Sequence, residues 1–240
     1  MKILSSIFFL LCLTTVQTAA AQGNGDAAQS KGAEWISYRD VYRSMLWFEK
    51  FGQDKTLIQQ HLQLVTKDKN LSLDQAQLRL HGTRTQLNLV LDATGRVKLP
   101  LLKTAYDENA ELVVQAASAQ LKFYTRISLN LRSDGLYEIS ELRRACEQAL
   151  AYQNYFSPAS VSGKKCAGIR IAFDKREANT NVELRPVSAP SLTLPLTENA
   201  PIWPDTANNF KVINLNFNQL PNAGQIYTRS APLVMIALFE

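Results

Sequence analysis

Apolar and polar side chains alternate in short bursts along this chain, and the alternation predicts strands. Leu87, Leu89 and Leu91 share one face, with Asn88, Val90 and Asp92 on the other, and Val97 and Leu99 resume the two-residue period after Asp92-Ala93-Thr94-Gly95. This reads as a hairpin, with Gly95 in the turn and Pro100 ending the second arm at Leu99. The longest alternation runs through Leu121, Phe123, Thr125, Ile127, Leu129 and Leu131. Shorter strand patterns occupy residues 60–65, 78–80, 112–114, 169–173, 182–184, 212–217, 226–228 and 233–239, so the first half reads as an antiparallel meander. The last of these is apolar throughout, as suits a buried strand, and too short for an ordinary membrane-spanning helix.

Two stretches carry the helical period instead. Tyr38, Val41, Tyr42, Met45 and Phe48 make one broad apolar side of a helix over 38–51, with Ser37 as its cap and Gly52 as its stop. Ile139, Leu142, Cys146 and Ala149 define a second helix over 138–153. Residues 103–109 read as a polar loop, 156–165 as a loop, and the proline-rich 186–204 as an irregular strap. The expected fold is α+β: a predominantly antiparallel β-sheet or sandwich with two packed helices. Residues 35–240 form a single β-rich domain, with two subdomains meeting near 133–165 as the alternative.

The amino end changes the setting. Lys2, an apolar segment over 3–16 and Ala19-Ala20-Ala21 form a secretory signal over 1–21, cut before Gln22, followed by a polar mature end over 22–34. Cys12 lacks the setting for lipid attachment, since Leu11 precedes it and little apolar segment lies upstream. A free protein of the bacterial periplasm, or one secreted beyond it, is expected, with no stable transmembrane segment after cleavage. In that oxidising compartment Cys146 and Cys166 form a structural disulfide, closing a loop worth about 3 kcal/mol by chain entropy. Once Lys2 leaves, 25 basic side chains face 21 acidic ones. That balance is mild and dispersed, which argues against nucleic acid as a partner.

The chain has no GxSxG elbow, HExxH helix, P-loop or dinucleotide loop. His61 and His81 lack a carboxylate and cysteine setting, and Ser160 and Ser162 lie in a Gly-Lys loop without a base. No catalytic residue, cofactor or metal is assigned. Tyr38, Tyr42 and Trp47 offer a sugar-binding platform only if they do not pack. Trp203, between Pro201 and Pro204, is the candidate recognition residue, with a core plug as the competing reading. Asp92, Asp107 and Glu108 are the acids from which a carboxylate-dependent envelope hydrolase would be built.

The segment EWISYRDVYRSMLWFEKFG at 34–52, together with LDATGRVKLPLLKTAYDENAELVV at 91–114, resembles the DUF2987 family of exported bacterial proteins of unknown function. The resemblance implies export and a shared fold and assigns no catalytic residue. A non-enzymatic accessory or binding protein of the envelope is the favoured reading, with an envelope protein or polysaccharide as partner. The mature protein is expected to have an intact mass starting at Gln22 and to gain the hydrogens of one dithiol on reduction. A free thiol before reduction would remove the disulfide.

Overall fold

The computed structural model describes residues 33–66, 76–115, 121–206 and 210–240. The expected signal, nearly all of 22–34 and the expected turn at 67–70 lie outside the described residues. In chain order the elements are β1 (Ala33–Ser37), α1 (Tyr38–Lys50), β2 (Ile58–Thr66), β3 (Gln77–His81), β4 (Gln86–Leu89), β5 (Arg96–Val97), α2 (Lys103–Asp107) and β6 (Glu111–Gln115). They continue with β7 (Leu121–Leu129), β8 (Leu136–Glu138), α3 (Ile139–Phe156), α4 (Pro158–Val161), β9 (Cys166–Phe173) and β10 (Val182–Pro186). The chain closes with β11 (Leu192–Leu194), β12 (Thr197–Ala200), β13 (Phe210–Asn216), β14 (Gly224–Thr228) and β15 (Val234–Phe239).

The fold is mixed α+β, with several antiparallel sheets and a few helices. The strands pair in the orders β1-β6-β3-β4, β5-β2-β7, β11-β10-β14-β8 and β12-β13-β9-β15. A meander is therefore not what the first half builds: β1 pairs with β6, and β2 pairs along its whole length with β7. Nor do the two arms of the expected hairpin pair with each other. Leu87 and Leu89 lie opposite Leu80 and Leu78 on β3, whereas Arg96 and Val97 lie opposite Gln63 and Leu62 on β2.

The turn itself is real. Gly95 has φ of 75°, its N–H donates to the Asp92 carbonyl, and the Asp92 N–H donates to Arg96. What diverges is the chain on either side, because β4 pairs with β3 and packs Leu89 on that sheet's apolar cluster, with Leu87 left exposed, while β5 serves another sheet.

Several local expectations also shift. Ser37 stands at the start of α1 but makes no side-chain cap bond, because the helix is fed directly by β1. At the other end Lys55 closes the helix, its ammonium donating to the carbonyls of Phe48 and Glu49 at 2.6 and 2.7 Å. Residues 103–107 are a short helix rather than a loop, and Pro158 starts another short helix, a position where its missing N–H costs nothing. The strap contains β11 and β12, with Pro195 and Pro201 falling outside both strands.

Two main apolar clusters result. One gathers α1, β2, β3 and β6 around Tyr38, Leu64, Leu78, Leu80 and Leu112. The other gathers α3, β9, β10 and β14 around Ile139, Ile169, Ile171, Phe173 and Ile226. Between the helices, Phe48 and Phe51 meet Tyr152 edge-on at 5.1 and 5.4 Å between ring centres. The Cys146–Cys166 disulfide joins α3 to β9 with a Cα separation of 5.9 Å. Gly168 follows it on β9, where the carbonyl of Leu215 approaches so closely that a Cβ would collide with it.

A buried arginine ties β5 to its surroundings. The Arg96 side chain, 5% exposed, donates to the Asp92 carboxylate through Nε and Nη2 at 3.0 and 2.8 Å and to Thr94 Oγ1 at 2.8 Å. It also donates to Ser128 Oγ on β7 at 3.2 Å and to the carbonyl of Leu233, just before β15, at 2.7 Å. Replacing Arg96 with Met strands a carboxylate, a hydroxyl and a carbonyl at once. Because Asp92 keeps some access to water, the expected loss is about 2–4 kcal/mol in urea unfolding. Arg96→Lys is expected to recover little, since a single ammonium cannot reproduce the fork.

Candidate functional site

β5 pairs with only Leu62 and Gln63 of β2, and the next contact on that edge is the Leu64 N–H to the Gly95 carbonyl at 2.8 Å. After Val97 the chain peels away from β2 instead of continuing the ladder. Tyr38, fully buried at the first turn of α1, holds the departing segment: its hydroxyl donates to the Pro100 carbonyl and accepts the Leu102 N–H.

A wedge-shaped cavity of about 460 Å³ opens between residues 58–62 of β2, residues 98–101 and α1. That size falls within the usual range of ligand sites, about 300–1,000 Å³. Its apolar wall is Val41, Met45 and Phe48 from α1, with Ile58, Leu99 and Leu101 opposite. Gln60, His61, Lys98, Glu49, Thr125 and Asn130 supply the polar groups.

His61 and Gln60 project from opposite faces of β2 and both reach the wedge because it opens on the strand's edge. Gln60 Nε2 donates to the Ser44 carbonyl at 3.3 Å and to the Tyr152 hydroxyl at 3.2 Å. His61 Nδ1 lies 3.4 Å from Ser128 Oγ. Burial depresses the imidazole's pKa to about 4, Arg96 and Lys98 push it the same way, and Asp92 opposes them. The ring is therefore neutral at neutral pH. Ser128 is fully buried and already holds Arg96, so this histidine and serine do not make an accessible nucleophile pair.

The acids singled out from sequence do not converge on the wedge. Asp92 caps its own turn and grips Arg96. Asp107 pairs with Lys103 one turn back on α2 at 2.6 Å. Glu108 accepts the backbone N–H groups of Arg84 and Thr85 at 2.8 and 3.0 Å, and its bonds to Thr85 lead in holding its pKa below the usual carboxylate value. Among the described residues, Glu49 is the one carboxylate that lines the cavity. Among the described residues, no group of three or more His, Cys, Asp or Glu side chains is placed to hold a metal ion.

Trp203 lies in the interior at 8% exposure, packed with Ala172, Ile202, Phe210, Val212, Val234 and Ile236. Arg126 covers it, its guanidinium 5.1 Å from the ring and clamped by Asp205 at 2.6 Å. It plugs a core rather than presenting a face. The helix-one aromatics divide: Tyr38 is buried, Tyr42 packs on Tyr106 at 4.8 Å, and Trp47 is half exposed against Tyr155 and Phe156. His81 is exposed on β3 opposite Glu111, and Ser160 donates to the Ser157 carbonyl within its own turn. Sequence reasoning missed the wedge because an alternating pattern through Leu99 gives no sign that the ladder stops at Val97.

The His61 shift has a consequence for stability. Its folded pKa near 4 lies below the ordinary 6.5, so the unfolded chain binds the proton more readily. Stability is expected to be full above about pH 6.5 and to decline as pH falls toward 4. His61→Gln should flatten this part of the pH profile in urea unfolding, and an unchanged slope would remove His61 as its source.

No helix among the described residues is long and apolar enough to cross a membrane. Compared with protein-family models, curated proteins and solved structures, the chain matches none.

Proposed function

We propose that the protein is a non-enzymatic accessory or binding protein of the bacterial envelope, exported to the periplasm, and that the wedge beside β2 is its binding site. The observation that carries this reading is the composition of the wedge: apolar side chains together with neutral hydrogen-bonding groups and, among the described residues, one lysine and one glutamate. Such a lining suits capture and orientation of a ligand. Hydrolysis by paired carboxylates would need a second acid beside Glu49, and Asp92, Asp107 and Glu108 are each engaged elsewhere.

The two stretches that resemble DUF2987 supply two of the three sides of the wedge, α1 from 34–52 and the departing segment from 91–114, and β2 supplies the third. Membership of that family is part of the proposal, and a binding role would belong to the family through these walls. An envelope protein or polysaccharide is the partner class.

The fluorescent anion anilinonaphthalene sulfonate tests the site, since it combines an apolar ring system with a charge that Lys98 can meet. The folded protein at neutral pH is expected to enhance its emission. Met45→Trp, which fills the wedge, should remove the enhancement without lowering the unfolding midpoint. Equal emission from both proteins would place dye binding elsewhere and overturn the assignment.

A further inference from the structure

We infer that the wedge receives an extended peptide, which adds as a strand to the open edge of β2; this rests on the binding reading above. The first argument is the backbone. Alternate residues of a strand aim their N–H and C=O groups at the same edge, and Leu64 sends its N–H toward β5. Gln60 has the same parity as Leu64 and Leu62, so its backbone pair points at the edge that β5 has abandoned. The stretch from Ile58 to His61 is four residues long, about 13 Å of extended chain; the Ile58 N–H is held by the Lys55 carbonyl at 3.2 Å, which leaves the Gln60 N–H and C=O and the Ile58 C=O for an added strand. Antiparallel addition continues the direction of β5 itself.

The second argument is the wall opposite. Alternate side chains of an added strand face one side, and on the α1 side Val41, Met45 and Phe48 offer an apolar surface. The third is charge. Lys98 follows Val97, which sits opposite Leu62, and Glu49 follows Phe48 at the Ile58 end of the wedge. Among the described residues neither makes an ion pair. A chain running antiparallel to β2 meets the lysine with its amino-terminal part and the glutamate with its carboxy-terminal part. The partner chemistry is therefore an extended segment with alternating apolar side chains, acidic early and basic late.

The probe is the hexapeptide acetyl-Glu-Val-Thr-Val-Thr-Lys-amide, titrated into the whole mature protein alongside the dye. The peptide is expected to displace the dye and to slow hydrogen exchange at the Gln60 amide. Two analogues carry N-methyl groups on alternate residues; the one methylated on the groups facing β2 should bind at least about tenfold more weakly, and the other like the parent. Lys98→Glu should weaken the parent and favour the peptide whose first residue is lysine, a reversal that a general loss of structure would not produce. If the dye binds and no peptide displaces it, or both methylated analogues bind like the parent, strand addition is overturned and the wedge remains a binding site. If neither dye nor peptide binds, the binding reading falls with it.

Discussion

The buried Arg96 guanidinium is the constraint on which the middle of the molecule depends. It cannot give up its charge, so folding must surround it with acceptors, and those acceptors come from far apart in sequence. Asp92 and Thr94 are local, Ser128 belongs to β7, and Leu233 precedes the last strand. Satisfying one side chain thereby fixes β5 against β2 and links that small sheet to the sheet containing β15. The short β5, with two residues, has little else to hold it.

The wedge follows from the same arrangement. Arg96 and Val97 are held on β2, while Tyr38 holds Pro100 and Leu102 on α1. Two anchors a few residues apart pull the segment between them toward different partners, and the strand edge left behind is the site. His61 beside it owes its depressed pKa first to burial, with Arg96 and Lys98 pushing the same way and Asp92 opposing them.

The neighbouring polar layer shows how similar chemistry closes a surface instead. Arg126 is bonded to Gln63 and Asp205 and lies over both Tyr124 and Trp203. The guanidinium and the surrounding apolar side chains cover the tryptophan, which is left 8% exposed. Proline-flanked aromatic sequence is compatible with either outcome, and the choice was made by an arginine on a strand far away in the chain.

Taken alone, the sequence determined the period of each element, and hence the α+β class, both long helices and most strands. It also made the cysteine pairing legible, since removal of the expected signal leaves two cysteines. The turn at 92–95 was equally readable, because Asp, Thr and Gly act on their own neighbours. Tertiary structure alone decided what those elements pair with. Nothing local tells Leu87 and Leu89 to join β3 rather than β5, or marks Val97 as the last ladder residue. Those choices depend on which apolar faces fill each core and where a buried charge finds acceptors, and both are sums over residues distant in the chain. The candidate site is made by a pairing that stops, so it appears in the arrangement of strands and not in any motif.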